Sequence, residues 1–231
     1  MTLDILTLPQ VVANRAPRFR EAAYAAIKDA ILLGRLGLNQ PLVEEQLASM
    51  LAISRTPVRE ALALLEHDQL IGPRGGRGLY VAPVSREQFV AMFVANEAVE
   101  PFLVRQAARL ATPAQLGELV ATLSQAEQSV GNADLAGFLR ASRSFHRLVG
   151  EAAGNAPLTD FVVRNEERAD MYLLSAGRAL DMQTMQASNT EHAAILAAVR
   201  SGDAEAAARL SVYHAQSLRT RLGDLFSERP E

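Results

Sequence analysis

The chain has 231 residues, 49% of them hydrophobic, and a formal net charge of −3. That length accommodates two domains with real cores, and the absence of cysteine excludes disulfides and thiolate metal sites and fits a reducing cytosol. At the N-terminus no basic segment leads into an apolar run, and no uninterrupted apolar stretch approaches about 18 residues, so neither a signal peptide nor a membrane span is expected.

Residues 1–19 carry Pro9 and Pro17 with little periodicity and are expected to form a flexible arm. The first helix is predicted over residues 20–33, with Tyr24, Ile27 and Ile31 on one face and Gly34 as its cap. A short helix follows over residues 44–51, with Leu47 and Leu51 one turn apart. Ala52 to Ser54 makes a turn, and Ser54 is expected to cap the next helix by accepting a hydrogen bond from a first-turn amide. Pro57 is tolerated in that first turn because its missing amide has no intrahelical partner to lose. This second helix runs to about Asp68 with Val58, Leu62 and Leu65 inward. Ile71 and residues 79–81 then read as two strands around Arg74-Gly75-Gly76-Arg77-Gly78.

Helix, tight turn, helix and ribbon is an arrangement suited to double-stranded DNA. The N-terminal part of the second helix of such a pair meets base edges in the major groove, and arginine there can give two hydrogen bonds to one guanine. Arg55, Thr56 and Arg59 occupy that part, with the two arginines four residues apart on one face. Arg74, Gly76 and Arg77 occupy the tip of the ribbon, where glycine lets a backbone approach a partner closely. Residues 1–84 carry nine basic and eight acidic groups, a balance of +1, and residues 85–231 carry 14 and 18, a balance of −4. DNA affinity must therefore come from local placement of a few arginines, and two copies acting together would supply more of it than one.

The boundary falls at Ala82-Pro83-Val84-Ser85. Beyond it six helices are predicted, over residues 86–111, 113–130, 133–153, 156–178, 183–200 and 203–226, separated by proline- and glycine-containing breaks. The fold class is thus mainly α, with a winged helix-turn-helix over residues 20–84 and an all-α bundle of about six helices over residues 85–231. His146, His192 and His214 each fall in a different one of these helices with apolar neighbours at helical spacing. Three converging imidazoles would hold a zinc-like divalent ion. An inward histidine can equally be a hydrogen-bonded core residue, and spacing alone leaves both readings open.

The words Leu42-x-x-x-x-Leu47-Ala48, Ser54-Arg55-Thr56-Pro57-Val58-Arg59-Glu60-Ala61-Leu62, Leu65-Glu66 and Gly78-x-x-Val81 closely resemble the DNA-binding domain of the GntR family of bacterial regulators. Asn39-Gln40 stands where that pattern has Pro-Gly, and Gln69-Leu70 where it has Gly-Leu. Phe145-His146 with Ala153-Gly154-Asn155 and Leu158, and Glu191-His192-x-x-Ile195-x-x-Ala198-Val199-x-x-Gly202-Asp203 leading to His214, resemble the FCD effector domain of the FadR branch of that family. The resemblance covers about residues 20–226 and implies a homodimeric, cytoplasmic transcriptional repressor on a palindromic operator, released by a small-molecule effector and not an enzyme. It also implies a divalent ion, zinc or nickel, on His146, His192 and His214. The family's aspartate ligand, four residues before the first histidine, is replaced here by Ser142. A family arginine in the first helix of the domain is replaced by Asn96. Organic acids are the effectors expected of metal-containing members. Asn96, Ser142, Tyr172 and Asn189 are the candidate effector contacts, with Arg143, Arg147, Arg164 and Arg168 as possible anion partners. Two rival readings are a three-histidine metal hydrolase, which would need a general base beside the metal-bound water, and a DNA-binding protein that answers to no effector.

Overall fold

A computed structural model describes residues 16–76, 78–175 and 180–223. The chain divides into two compact units. One holds the described residues of Met1–Asp29 together with Pro41–Tyr80, and the other Ala30–Gln40 with the described residues from Val81 onward.

The first unit contains most of α1 (Ala16–Leu32), then β1 (Pro41–Leu42), α2 (Glu44–Leu51), α3 (Arg55–His67), β2 (Ile71–Pro73) and the start of β3 (Leu79–Val81). Its core holds the inward stripe of α3, namely Val58, Ala61, Leu62 and Leu65, together with Ile27, Leu47, Leu70 and Ile71, all buried. The Tyr24 hydroxyl on α1 donates to the Asp68 carboxylate at the end of α3. Three details depart from expectation. The helix starts at Ala16, so residues 16–19 are not an arm; Pro17 lies in the first turn, where proline favours a helix start. Residues 1–15 and Arg77 lie outside the described residues. The ribbon has a third strand, since β1 pairs antiparallel with β3, Pro41 opposite Tyr80 and Leu42 opposite Leu79. Asn39 leads into it with φ 61°, a left-handed conformation that asparagine tolerates and that lets it replace the expected glycine turn. Ser54 stands at the N-cap of α3 in extended backbone, but its hydroxyl makes no capping hydrogen bond.

The second unit is built from α4 (Arg86–Leu110), α5 (Pro113–Gly131), α6 (Leu135–Ala152), α7 (Ala156–Ser175), α8 (Met182–Ser201) and α9 (Ala204–Arg221). Ser85 with Gln88 and Thr112 with Gln115 form reciprocal capping boxes that start α4 and α5. Asp134, Asp181 and Asp203 accept first-turn amides at the starts of α6, α8 and α9. Leu103, Leu119, Phe145, Val149, Val162, Ile195, Val199 and Ala207 belong to one apolar cluster, and Phe89, Phe138, Leu139, Leu173, Leu180 and Met185 to another. No helix among the described residues is long and apolar enough to cross a membrane.

Gly150 of α6 is buried where α7 passes, and a Cβ there would lie 2.4 Å from Thr159 Oγ1 and 2.6 Å from its methyl carbon. Gly→Ala in a helix interior ordinarily stabilises by about 1 kcal/mol. Here the sign should reverse: Gly150→Ala is expected to destabilise by about 1–3 kcal/mol, the usual result of overpacking, read as a lower midpoint in urea unfolding followed by circular dichroism.

Candidate functional site

The residues with chemistry to offer fall in two places, one in each unit. On α3, Arg55, Thr56 and Arg59 are all solvent-exposed on the first turn and a half. Arg74 and Gly76 are exposed in the turn after β2, where Gly75 and Gly76 take φ 60° and 72°. Those conformations need glycine. Sequence reading missed Glu44, in the first turn of α2. Its carboxylate accepts from Arg59 Nε at 3.0 Å and from Arg59 Nη2 at 3.0 Å, and lies 3.5 Å from Arg55 Nη2. The Arg59 guanidinium holds the Glu44 carboxyl below the usual carboxylate range. Both arginines thus present themselves fanned from one anchor.

In the second unit, α6, α8 and α9 bring His146, His192 and His214 together. Their donor nitrogens all lie within 4.8 Å of one another. His192 Nε2 and His214 Nε2 are 3.2 Å apart, close to the separation of about 3.4 Å between two nitrogens bound to one tetrahedral zinc at about 2.0–2.1 Å each. The His192 ring stacks on Phe145, with centroids 4.6 Å apart, which fixes its plane. Burial, with His214 and His146 adding to it, keeps His192 well below the ordinary imidazole range and therefore neutral.

Carboxylates surround these rings. Glu191 Oε2 lies 2.7 Å from His214 Nδ1, and Arg221 in turn grips Glu191 through Nη1 at 2.8 Å and Nη2 at 2.9 Å. Burial opposes the charged form of Glu191, but hydrogen bonds from Arg221 and His214 outweigh it and hold its pKa down to about 2. Glu100 Oε2 of α4 lies 3.2 Å from His146 Nδ1, and Glu166 Oε1 of α7 lies 3.5 Å from His146 Nε2. Burial works against a charged His146, yet Glu100 and Glu166 outweigh it and push it up to about 10. Burial pushes Glu166 up to about 8 and Asp170 up to about 7, the latter in spite of its ion pair with Arg143.

A cavity opens beside the cluster. Phe89, Phe138, Leu173 and Leu180 line its apolar end, and Glu100, Ser142, His146, Glu166 and His214 its polar end. Of the four candidate effector contacts, Asn96 and Ser142 line it. The other two are placed elsewhere: Tyr172 stacks on Phe89 with centroids 4.8 Å apart, and Asn189 donates to the Leu123 carbonyl at 3.3 Å. Asn96 accepts from Asn165 Nδ2 at 2.9 Å. Arg143 is committed to Asp170, Arg147 pairs with Glu151 on the surface, and Arg164 is exposed. The four carboxylates were legible only in part. Glu166, Ala169, Asp170 and Leu173 continue the inward stripe of Val162 at helical spacing, and Arg221 lies two turns beyond His214. Both are signals that a charge points inward.

The family model described as FCD domain matches residues 91–217. That described as bacterial regulatory proteins, gntR family, matches residues 19–81. The HTH-type transcriptional repressor RspR of Escherichia coli K12 is 27% identical over 222 residues, covering 93% of this chain and 96% of that protein. The HTH-type transcriptional repressor NanR of Cronobacter sakazakii is 28% identical over 196 residues, covering 76% and 74%. Among solved structures, E. coli McbR/YncC superposes with a TM-score of 0.77 at 20% identity over 94% of this chain and all of that one, a likeness of fold.

The Arg143–Asp170 pair makes a stability prediction. Removing one partner of a buried pair costs about 3–5 kcal/mol, so Arg143→Met should destabilise strongly near neutral pH. The Asp170 carboxyl, already raised to about 7 from an ordinary 3.8, rises further without Arg143 and takes up a proton on folding. Protonation favours the folded state below the raised pKa, so the loss should shrink as pH falls from 8 toward 5. Urea midpoints at the two pH values check this; an equal loss at both would show that Asp170 is not the group left uncompensated.

Proposed function

We infer the division of labour from one premise: the chain belongs to the GntR family of bacterial regulatory proteins and carries an FCD domain. It is a DNA-binding transcriptional regulator, and its FCD domain is the effector-binding part. Relatives carrying the word repressor in their names favour repression as the direction of control. We propose a DNA-binding domain over residues 20–84 and an effector-binding and dimerisation domain over residues 85–231, in a cytoplasmic homodimer on a palindromic operator. Two recognition helices would then enter successive major grooves about one helical turn apart. Arg55, Thr56 and Arg59 read base edges, while Arg74, Gly76 and Arg77 approach the backbone. Glu44 positions the two arginines of α3.

The observation that carries the second half of the reading is the meeting of three imidazoles, two of which, His146 and His214, line one cavity. The donor set suits a borderline ion such as zinc or nickel, held by His146, His192 and His214, with Glu191 and Glu100 orienting two of the rings from behind. When bound, such an ion supplies a coordination position for an oxygen of the effector. The apolar end of the cavity then sorts effectors by shape, and Asn96 and Ser142 offer hydrogen bonds. The effector changes operator affinity by binding one state of the protein more tightly than the other. We propose no enzymatic activity, since members of this family are regulators. Effector-dependent release from DNA separates this reading from that of an architectural DNA-binding protein.

Two outcomes are expected. Arg59→Ala should lose about 1–3 kcal/mol of specific operator affinity and relax the sequence preference with the circular dichroism spectrum unchanged; unaltered affinity in gel-shift titration would remove Arg59 from the interface. Protein purified without a histidine tag should carry about one zinc or nickel ion per chain by mass spectrometry of the metal, and His192→Ala should lose it. Equal metal content in the two proteins would sink the three-histidine site.

A further inference from the structure

The three histidines leave a fourth coordination position, and Ser142, one helical turn before His146 on α6, is a weak donor for it. We propose that Glu166 of α7 is the fourth protein ligand, supplying across the cavity the carboxylate that α6 lacks. The assignment rests on the three-histidine reading above.

Spacing and an unmet carboxylate oxygen carry it. The Nδ1 of His214 is occupied by Glu191 at 2.7 Å, which leaves Nε2 facing His192 Nε2 at 3.2 Å. The Nδ1 of His146 is likewise occupied by Glu100 at 3.2 Å, which leaves Nε2 facing Glu166 Oε1 at 3.5 Å. Glu191 and Glu100 each take the Nδ1 of a ring, where a carboxylate fixes the tautomer and plane of a metal-binding imidazole. Glu166 instead faces an Nε2, the nitrogen that His192 and His214 turn toward each other. Its 3.5 Å separation exceeds an ordinary hydrogen bond, but it is close to the spacing of about 3.4 Å between two donors on one tetrahedral ion. The other oxygen of Glu166, Oε2, is buried and has no hydrogen-bond partner. A buried carboxylate oxygen without a donor costs free energy that coordination would recover.

Charge points the same way. Asp170 is matched by Arg143, Glu97 by Arg219 and Glu191 by Arg221. Among the described residues, the ion pairs of Glu100 and Glu166 are to His146 alone. With the imidazoles ligating in neutral form and both carboxylates ionised, the charge would be −2, which one divalent cation would balance. The two donor groups, His146–His192–His214 and Glu100–His146–Glu166, share His146, so Glu166 joins the ion by a rotation of its own flexible side chain within the cavity.

The test measures zinc affinity by chelator competition, and the visible spectrum of the cobalt(II) form, on tag-free full-length protein. Wild type, Glu166→Gln, His192→Ala and the double variant Ser142→Asp/Glu166→Gln are compared, with Glu166→Asp, which keeps the charge but shortens the reach, in case the Gln variant does not fold. Glu166→Gln is expected to lose at least about 10–100-fold in zinc affinity, the range found even for residues outside the coordination sphere, and to alter the cobalt bands. Returning a carboxylate through Ser142→Asp should recover most of the loss. Wild-type affinity and spectrum in Glu166→Gln, with binding still lost in His192→Ala, would overturn the assignment while leaving the three-histidine site standing. Binding kept in His192→Ala but lost in Glu166→Gln would place the ion on the carboxylates instead and overturn the shared site. No binding by wild type would overturn both readings.

Discussion

Carboxylates facing an imidazole in the largely enclosed middle of the bundle are the constraint on which the effector domain depends. An ionised carboxylate taken out of water is tolerated only with a partner of opposite charge or a set of donors. The helix bundle buries Glu100, Glu166 and Asp170 around His146, each from a different helix or turn of helix. Replacing such a centre with leucine and phenylalanine would stabilise a fold that needed only to stand. The apolar clusters flanking it, around Phe145 and Leu119 and around Phe89 and Phe138, supply the stability that the polar centre withholds. A polar centre kept at that cost is the mark of a binding site, and the cavity opening onto it gives a ligand access.

The DNA-binding unit applies the same Coulombic rule in the opposite regime. Glu44 meets Arg55 and Arg59 in water, where such pairs contribute little to stability. On the proposed reading, in which Arg55 and Arg59 meet DNA, the contact would restrict two long side chains and leave less ordering to be done on binding. The first half of the chain carries a charge balance of only +1. Its affinity for a polyanion therefore rests on where a few guanidinium groups stand, with the amides at the start of α3 adding a favourable field.

Periodicity and punctuation made most of the architecture readable. The bounds of α2 were read residue for residue, and α4 to α9 begin within two residues of expectation, because capping residues and apolar spacing act locally. The start of α1 was misread because proline interrupts a helix in its interior but favours its first turn. Strand β1 was missed because a two-residue strand has no period, and only its partner β3 defines it. The histidines were visible as inward residues, but their meeting depends on how α6, α8 and α9 pack, which no local pattern encodes. Glu166 and Asp170 were harder still. They lie in a run of charged residues that looks like a solvated face, and only the phase of Val162, Ala169 and Leu173 shows that the run faces inward.

The charge of the effector follows from the same count of groups. Without a cation, the polar end of the cavity sets an ionised Glu100 against a protonated His146, while burial pushes Glu166 up to about 8, so an incoming carboxylate meets no positive charge in excess. His146 takes a proton to offset part of the carboxylate charge, which is why its pKa stands near 10. A divalent cation there would neutralise the carboxylates and, by expanding its coordination, would give an acid an oxygen-binding position. Anion recognition in this cavity would therefore depend on the proposed ion, because the arginine that lines it, Arg143, is already paired with Asp170. An arginine at the position of Asn96 would have offered a permanent positive charge in its place. This chain has asparagine there, so on the proposed reading its response to an acidic effector would be a response to metal and acid together.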